Sequence, residues 1–345
     1  MSITHTFIDF IPSILLGAPD ADTSLSVLPG HELLLKGKGY EAIVYTAIGG
    51  IIGIIIILLF TPVFILLLQE IFKYLNLVMF LILVLAAGYM VLRDKNKILA
   101  FFIFLLSGFL GIASINLHLS QSLLPLLTGL FGASSLITSI AKKQKLPEQK
   151  VTKIKEVKIT KNEIGIVVLA SIISSPLCSF LPALGSSQAA VIGSDILEKT
   201  GKKEFLMLLG SVNTIVLGLS FVALFSINKA RTGAAVAVSK LIQISLSHLG
   251  VIILVLIISG ICAFILTIFL AKRLIKIIYK LNYQIISIIV LIFLAIIILA
   301  FSGFLGFLLF LVSTFTGLTA ILSGVRRTNL MGSMMIPAII FYLPF

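Results

Sequence analysis

The feature that most constrains the fold is a series of apolar runs that recurs along almost the whole 345-residue chain. Many of these runs exceed the roughly 18 residues that mark a membrane-spanning helix. Hydrophobic residues make up 59% of the chain and charged residues only 11%. A soluble domain of this size has no core large enough to bury so much apolar surface. The sequence therefore predicts an all-α, polytopic membrane protein and excludes a soluble enzyme.

The apolar runs predict about ten transmembrane spans, arranged in two related halves with broken or re-entrant helices. The predicted spans are 42–69, 75–92, 98–117, 122–141, 164–183, 205–227, 242–271, 281–300, 302–323 and 329–345. An N-terminal half over 1–141 is joined to a C-terminal half over 164–345 by a hydrophilic linker at 142–163. The alternating residues of this linker are compatible with a small strand pair, and a solvated linker is the other interpretation.

Positive charge is concentrated in short loops between the spans. The chain carries 26 Lys and Arg against 13 Asp and Glu, and four loops hold much of this excess: 93–97, 142–163, 272–280 and 326–327. Short loops rich in Lys and Arg stay in the cytoplasm. We therefore predict a multi-pass protein of the cell membrane with all four loops on the cytoplasmic side. Nucleic acid is not predicted as a partner, because these loops lack interleaved aromatic residues.

Three segments are too interrupted to be spans and too apolar to be ordinary loops. They cover 8–36, 176–201 and 226–240, and glycine, proline or charged residues break each of them. Non-helical backbone at membrane depth persists only where protein or a water-filled cavity satisfies its polar groups. Interrupted segments in both halves of a chain indicate the binding site of a transporter. We therefore predict a helix break at Gly17–Pro19 inside the protein.

The two halves weakly resemble each other around these interrupted segments. His5-Thr6-Phe7-Ile8 resembles Asn213-Thr214-Ile215-Val216. Each stretch then leads to a polar cluster followed by small residues, at 20–27 and at 228–236. Weak similarity of this kind between two halves of a chain is what an internal repeat produces.

The polar residues of the interrupted segments are the predicted ligands of a substrate and an ion. An ionisable side chain at membrane depth costs about 2.5–3.5 kcal/mol and usually has a function. The candidates are Asp20, Asp22, Thr23, Ser186, Ser187, Gln188, Lys229, Arg231 and Thr232. The two carboxylates would hold Na⁺ or exchange a proton, and Arg231 would form a fork for a carboxylate. Solvated loops, and a plain serine cap at Ser186, are the alternatives.

No enzyme, cofactor or metal site is predicted, apart from a coupling Na⁺ or H⁺. The four histidines have no metal-ligand spacing, and the chain contains no phosphate-binding P-loop, no H-E-x-x-H and no G-x-S-x-G. An intramembrane hydrolase built on Asp20 or Asp22 is the enzyme alternative. It would need two converging carboxylates, and the other spans contain almost no aspartate.

Two stretches resemble a known family. Residues 10–23, followed by Leu28-Pro29-Gly30-His31 and 36–42, resemble the signature of the large permease subunit of tripartite tricarboxylate transporters, the TctA family, in its archaeal-type branch. Residues 180–190 look like the family's Pro-Gly-Leu-Gly loop, with Ala183 where a glycine is expected. Family members usually carry another Pro-Gly loop upstream of the first motif. We expect that loop either to be missing from this chain or to be lost in this branch.

The resemblance implies a secondary active transporter (permease) for a small organic anion such as a di- or tricarboxylate. The best-known members work with a small membrane subunit and an extracytoplasmic binding protein, so either one is a possible partner, whereas archaeal-type members resemble stand-alone permeases. A carrier or flippase for an anionic lipid, such as a polyprenyl phosphate, is the alternative, and a lateral opening between spans would favour it. If the interrupted segments form one site, Asp20 and Asp22 should approach Lys229 and Arg231 across the interface between the halves.

Overall fold

A computed structural model describes residues 1–16, 23, 25, 27–117, 119, 121–142, 147–152, 156–180, 185–197, 200–278 and 283–343. Within these ranges the chain is helical and contains no strand. The first helices are α1 (Ser2–Ile8), α2 (Phe10–Leu15), α3 (Val27–Leu35), α4 (Gly39–Leu92), α5 (Lys97–Asn116), α6 (Leu123–Leu127) and α7 (Ser134–Ala141), with a π-helix (Thr128–Ala133) between α6 and α7. After the linker come α8 (Lys161–Phe180), α9 (Ser186–Ile196), α10 (Lys202–Ile227), α11 (Gly233–Ser239), α12 (Leu246–Ile278), α13 (Tyr283–Leu322), a 3₁₀-helix (Arg327–Met331) and α14 (Gly332–Phe341).

Six helical segments of the described chain are long and apolar enough to cross a membrane. They are Gly39–Leu68, Lys97–Asn116, Leu123–Ala141, Lys202–Ile227, Leu246–Ile278 and Gln284–Leu322. The helical membrane class is therefore supported, but the predicted total of about ten spans is not confirmed. Two predicted spans, 42–69 and 75–92, lie in the single helix α4, and α14 has only ten residues where 329–345 was predicted.

The predicted spans 281–300 and 302–323 also fall in one element, the 40-residue α13. Gly303 interrupts it with φ 68° and ψ −169°, a backbone conformation that is essentially restricted to glycine. The part on each side of Gly303 has about 20 residues and is about 30 Å long, which matches the hydrocarbon thickness of a bilayer. Two helices of membrane length are thus joined at one glycine.

Buried apolar side chains form two main clusters, which we call the first and second bundles. The first bundle is built from α1–α3, the first part of α4 and α8–α12. The second is built from the last part of α4, α5, α6, the π-helix, α13, the 3₁₀-helix and α14. Each bundle therefore takes segments from both sides of the linker 142–163. The predicted division into 1–141 and 164–345 stays a prediction, and the side-chain packing is partitioned differently.

At the centre of the first bundle lies α10, whose residues are all buried from Leu206 to Leu224. It packs parallel to the first part of α4 through glycines on both helices. Gly49 lies against the backbone of Met207, and Gly210 lies against the backbone of Thr46. Small residues allow this close approach of two membrane helices. Polar side chains on α10 are therefore enclosed by protein.

The four basic loops lie next to one another in pairs. The backbone N–H of Arg326 donates to Asp94 Oδ2 at 2.8 Å, which joins the loops 326–327 and 93–97. The backbone N–H of Gly39 donates to Gln149 Oε1 at 3.0 Å, and the Ile275 side chain lies beside the same glycine. This joins the linker to the end of α12. The cytoplasmic location of these loops stays a prediction.

The start of α8 is stabilised by a reciprocal cap. The backbone N–H of Thr160 donates to Glu163 Oε2 at 2.6 Å, and the backbone N–H of Glu163 donates to Thr160 Oγ1 at 3.3 Å. The bond from the Thr160 backbone holds the pKa of the Glu163 carboxyl below its ordinary value of 4.5. The cap formed by the Glu163 carboxylate therefore contributes fully to stability above the ordinary pKa of 4.5. This contribution is lost as the pH falls through the lower pKa that Glu163 has in the folded protein.

We expect Glu163→Ala to lower the free energy of unfolding by about 0.5–1 kcal/mol at pH 7, as loss of a helix cap does. The difference from wild type should shrink as the pH falls through the folded-state pKa. Thermal unfolding in detergent, followed by circular dichroism between pH 7 and pH 3, measures both effects. Glu148→Ala, an exposed carboxylate of the linker, is the control. An equal loss in the two variants would contradict a specific cap.

Candidate functional site

The N-terminal helix is broken at Asp9, inside the first bundle. Helix α1 ends at Ile8 and α2 begins at Phe10. Pro12 has no N–H to donate to the Ile8 carbonyl, so the regular helical ladder cannot continue across this point. The Asp9 carbonyl accepts both the backbone N–H of Ser13, at 3.4 Å, and the Ser13 hydroxyl, at 2.8 Å. The break therefore presents the Asp9 carboxylate and the Ile8 carbonyl, which lacks its usual helical donor, within a helical membrane protein.

Two hydroxyl groups accompany Asp9 at this break. The Thr23 hydroxyl donates to Asp9 Oδ2 at 3.4 Å, and the Ser13 and Thr23 hydroxyl oxygens are 2.7 Å apart. Both Ser13 and Thr23 are fully buried. The predicted ligand Thr23 thus joins a small cluster of oxygen atoms around the Asp9 carboxylate.

A cavity of about 140 Å³ lies beside this cluster. Its walls come from α1, the break at Asp9, α10 and the residue that precedes α11: Ser2, His5, Thr6, Asp9, Asn213, Val216, Leu217 and Thr232. We call it the Asp9 cavity. Its volume leaves room for a few water-sized groups, since each water occupies about 30 Å³ in the liquid. The two similar stretches of the sequence, which begin at His5 and Asn213, both line the Asp9 cavity and lie on opposite helices.

The start of α9 meets the same cavity wall. The Ser186 hydroxyl donates to Asn213 Oδ1 at 3.2 Å. Ser186, Ser187 and Gln188 are all buried, as is Thr214 next to Asn213. Both amide atoms of Gln188 and the Thr214 hydroxyl have no hydrogen-bond partner within the described chain. Buried polar atoms are nearly always paired in native proteins, so these groups are candidates to bind a water, an ion or a substrate.

The loop after α10 is held against that helix by Ser220. Helix α10 ends at Asn228, which adopts a left-handed conformation with φ 53°. The backbone N–H groups of Arg231 and Thr232 both donate to Ser220 Oγ, at 3.1 and 2.9 Å. Thr232 then caps α11 through Ala235. This arrangement directs Thr232 to the Asp9 cavity.

The Asp9 cavity lies near the middle of the membrane-spanning part of the protein. Asn213 follows Lys202, the first residue of α10, by eleven residues, a rise of about 16 Å at 1.5 Å per residue. That is about half of the roughly 30 Å hydrocarbon thickness. Transporters built from broken helices bind their substrates near this depth.

The predicted site residues are only partly brought together. Thr232 lines the Asp9 cavity and Ser186 bonds to its wall, whereas Lys229 is exposed. The Arg231 guanidinium lies 3.5 Å from Cys178 Sγ on α8. Asp20, Asp22 and the predicted break at Gly17–Pro19 lie outside the described residues, and so does their predicted approach to Lys229 and Arg231.

Asp9, His5 and Asn213 were not among the ligands predicted from the sequence. Asp9 was visible as a single charge within an apolar stretch, and a charge at membrane depth usually has a function. The resemblance of His5-Thr6 to Asn213-Thr214 was a second signal, because the structure places these stretches on facing helices. Taken together, these two features of the sequence could have predicted the Asp9 cavity.

The described chain combines broken helices with a polar cavity in an all-helical membrane protein, a combination that occurs in membrane transporters. Residues 1–332 match the tripartite tricarboxylate transporter TctA family, and the chain belongs to that family. It is therefore a multi-pass component of a membrane transporter and not an enzyme. A protein of uncharacterised function from Methanocaldococcus jannaschii is 29% identical over 357 residues, covering 99% of this chain and 86% of the relative. No solved structure matches the chain.

Proposed function

We propose that the protein is a permease that carries a small organic anion, such as a di- or tricarboxylate, by secondary active transport coupled to Na⁺ or H⁺. The observation that carries this proposal is the Asp9 cavity, in which a carboxylate, an imidazole and an amide lie together at mid-membrane depth. Membership of the TctA family supports the substrate class. A small membrane subunit and an extracytoplasmic binding protein are the proposed partners.

The coupling ion would bind at the Asp9 end of the cavity. A carboxylate surrounded by hydroxyl and carbonyl oxygens is a donor set suited to a hard cation. Asp9 Oδ2, the Ser13 and Thr23 hydroxyls and the Asp9 carbonyl supply such oxygens. The same carboxylate can exchange a proton instead, so the proposal covers both Na⁺ and H⁺.

The anionic substrate would bind toward the start of α9. Backbone N–H groups at a helix start attract negative charge. The Gln188 amide, buried and without a hydrogen-bond partner in the described chain, is a further donor there. Arg231, next to the cavity residue Thr232, supplies positive charge on the α10–α11 loop.

An anionic-lipid carrier would need its site to open sideways into the bilayer. On one side the Asp9 cavity is bounded by α10, whose central residues are all buried. That wall offers no opening to the bilayer, which supports transport of a water-soluble anion.

Uptake of radiolabelled citrate and succinate into proteoliposomes tests the proposal. We expect the initial rate to rise with an imposed Na⁺ or pH gradient and to return to the level of protein-free liposomes when the gradient is dissipated. Thermal stabilisation of the purified protein by the same carboxylates is a second measurement. Stabilisation by polyprenyl phosphate alone, with no carboxylate uptake under either gradient, would contradict the proposal and favour the lipid carrier.

A further inference from the structure

A second and larger cavity, of about 770 Å³, lies where the first bundle meets the second. Its volume falls within the roughly 300–1,000 Å³ typical of small-molecule sites. Its charged lining residues are Arg93, Asp195, Lys202, Arg326 and Arg327. None of its lining residues lines the Asp9 cavity. We call it the arginine cavity.

The cations of the arginine cavity are only partly neutralised. Arg93 pairs with Asp195, which also accepts a hydrogen bond from the Tyr89 hydroxyl at 2.9 Å. Lys202 pairs with Glu32. Within the described chain no carboxylate forms an ion pair with the side chain of Arg326 or Arg327.

Asp94 is the remaining nearby carboxylate, and its hydrogen bonds go elsewhere. Its Oδ2 accepts from the backbone N–H of Arg326 at 2.8 Å and from Asn329 Nδ2 at 2.9 Å. Asp94 itself is only 4% exposed. It therefore anchors the loop that carries the two arginines, rather than pairing with their guanidinium groups.

Arg327 is a half-buried cation held by neutral groups. Its Nη2 donates to the Phe131 carbonyl in the π-helix and to the Ser135 hydroxyl, while its buried Nε has no hydrogen-bond partner among the described residues. Burial lowers the pKa of Arg327 to about 10, which leaves the guanidinium charged at neutral pH. A partly desolvated charge that has no counter-ion in the described part of the chain is costly, and a bound anion would offset that cost. Single π-helical turns occur frequently at functional sites.

We propose that the arginine cavity binds an organic anion carrying two or more carboxylate or phosphate groups. Arg326 would present a planar fork to one anionic group, and Arg327, whose Nη2 is already bonded to protein, would contribute its positive charge. The hydroxyls of Ser194 and Thr200 add hydrogen-bonding groups, and Phe205 offers an apolar wall for the carbon skeleton. A soluble polycarboxylate and a lipid phosphate headgroup share this chemistry. The proposal goes beyond the transport function, because the arginine cavity is separate from the Asp9 cavity.

Isothermal titration of the purified full-length protein in detergent tests this site, with citrate in one arm and dioctanoyl phosphatidic acid in the other. We expect Arg326→Gln to raise the Kd of the binding anion roughly tenfold or more, as loss of a charge-assisted bond does. Arg326→Lys, which keeps the charge but loses the fork, should give a smaller increase. Arg326 is exposed, so these variants should fold, and circular dichroism checks that they do.

Lys95→Gln is the matched control, because Lys95 is exposed in the adjoining loop and does not line the cavity. It removes the same charge and should change the Kd less than twofold. Equal weakening in Lys95→Gln and Arg326→Gln, or no binding in either arm, would overturn the proposal. The arm in which Arg326→Gln weakens binding identifies the soluble or the lipid source.

A variant of the other cavity separates this proposal from the proposed function. Asn213→Ala should reduce uptake while leaving the Arg326-dependent binding unchanged. If anion binding is instead lost in Asn213→Ala and unaffected by Arg326→Gln, the anion binds only in the Asp9 cavity. That result overturns the second site and leaves the transport proposal standing.

Discussion

Asp9→Asn is expected to reduce gradient-driven uptake at least tenfold and to remove its dependence on Na⁺ or pH. Asparagine has nearly the same shape and still accepts the hydrogen bond from Thr23, so the fold should be retained. It lacks the negative charge, and a charged hydrogen-bond partner contributes about 1.5–3 kcal/mol, equivalent to tenfold or more in binding. Initial uptake rates in proteoliposomes, measured against Na⁺ concentration and pH, give the result.

Glu148→Gln is the control for this experiment, because it makes the same acid-to-amide change at an exposed position of the linker. Its uptake should equal that of the wild type. Asn213→Ala should also lower uptake, since Asn213 lines the Asp9 cavity and accepts from Ser186. Asn116→Ala, an exposed asparagine bonded to its own helix, is its control. Full gradient-dependent uptake in Asp9→Asn would remove Asp9 from the mechanism.

The class of the protein could be predicted from its sequence because the hydropathy of a segment depends only on the residues of that segment. A run of about 20 apolar residues has no stable place except a membrane or a very large core. The number of spans could not be predicted in the same way. Pro62, a residue type that usually kinks or breaks a helix, lies within the continuous helix α4. The Thr61 hydroxyl donates to the Ile57 carbonyl just before it, one of the ways in which membrane helices tolerate proline.

The candidate site was predictable only where a local signal existed. A serine cap at Ser186 was one interpretation of the sequence, and α9 does begin at Ser186, but Gly185 is at the N-cap position and no side chain caps the helix. Thr232 followed two basic residues in an interrupted segment, and it lines the Asp9 cavity. The partner of each group depends on which helices pack together, and hydropathy carries no such information. The contact of Ser186 with Asn213 joins residues 27 positions apart, and no spacing rule predicts it.

The two cavities are connected by the short helix α9. Ser186 at its start bonds to Asn213 of the Asp9 cavity, and Asp195 near its end pairs with Arg93 of the arginine cavity. Nine residues separate these positions, a rise of about 14 Å. Because Arg93 belongs to the second bundle's end of α4, this ion pair also ties the two bundles together. The position of α9 therefore depends on groups in both cavities.

The close packing of α4 against α10 should make the stability of the protein sensitive to substitution of Gly49. A Cβ atom added at Gly49 would lie 1.9 Å from the Met207 carbonyl oxygen and 2.7 Å from its carbonyl carbon. Backbone atoms cannot move aside as the end of a flexible side chain can, so the two helices would have to separate. Overpacking of this kind costs about 1–3 kcal/mol even in cores that relax. We expect Gly49→Ala to lower the free energy of unfolding by at least that amount, and Gly49→Leu to prevent folding.

Gly88→Ala is the matched control, since Gly88 lies on the same helix and a Cβ there would meet no atom within 4 Å. Alanine should stabilise the helix at that position by about 0.5–1 kcal/mol, because it loses less backbone entropy than glycine. Equilibrium unfolding in mixed micelles, followed by circular dichroism, compares the two variants with the wild type. Gly49→Ala should therefore lower the free energy of unfolding, and Gly88→Ala should raise it. Equal stability of Gly49→Ala and Gly88→Ala would show that α4 and α10 do not approach as closely as described. The enclosure of α10, and with it the wall of the Asp9 cavity, would then need another explanation.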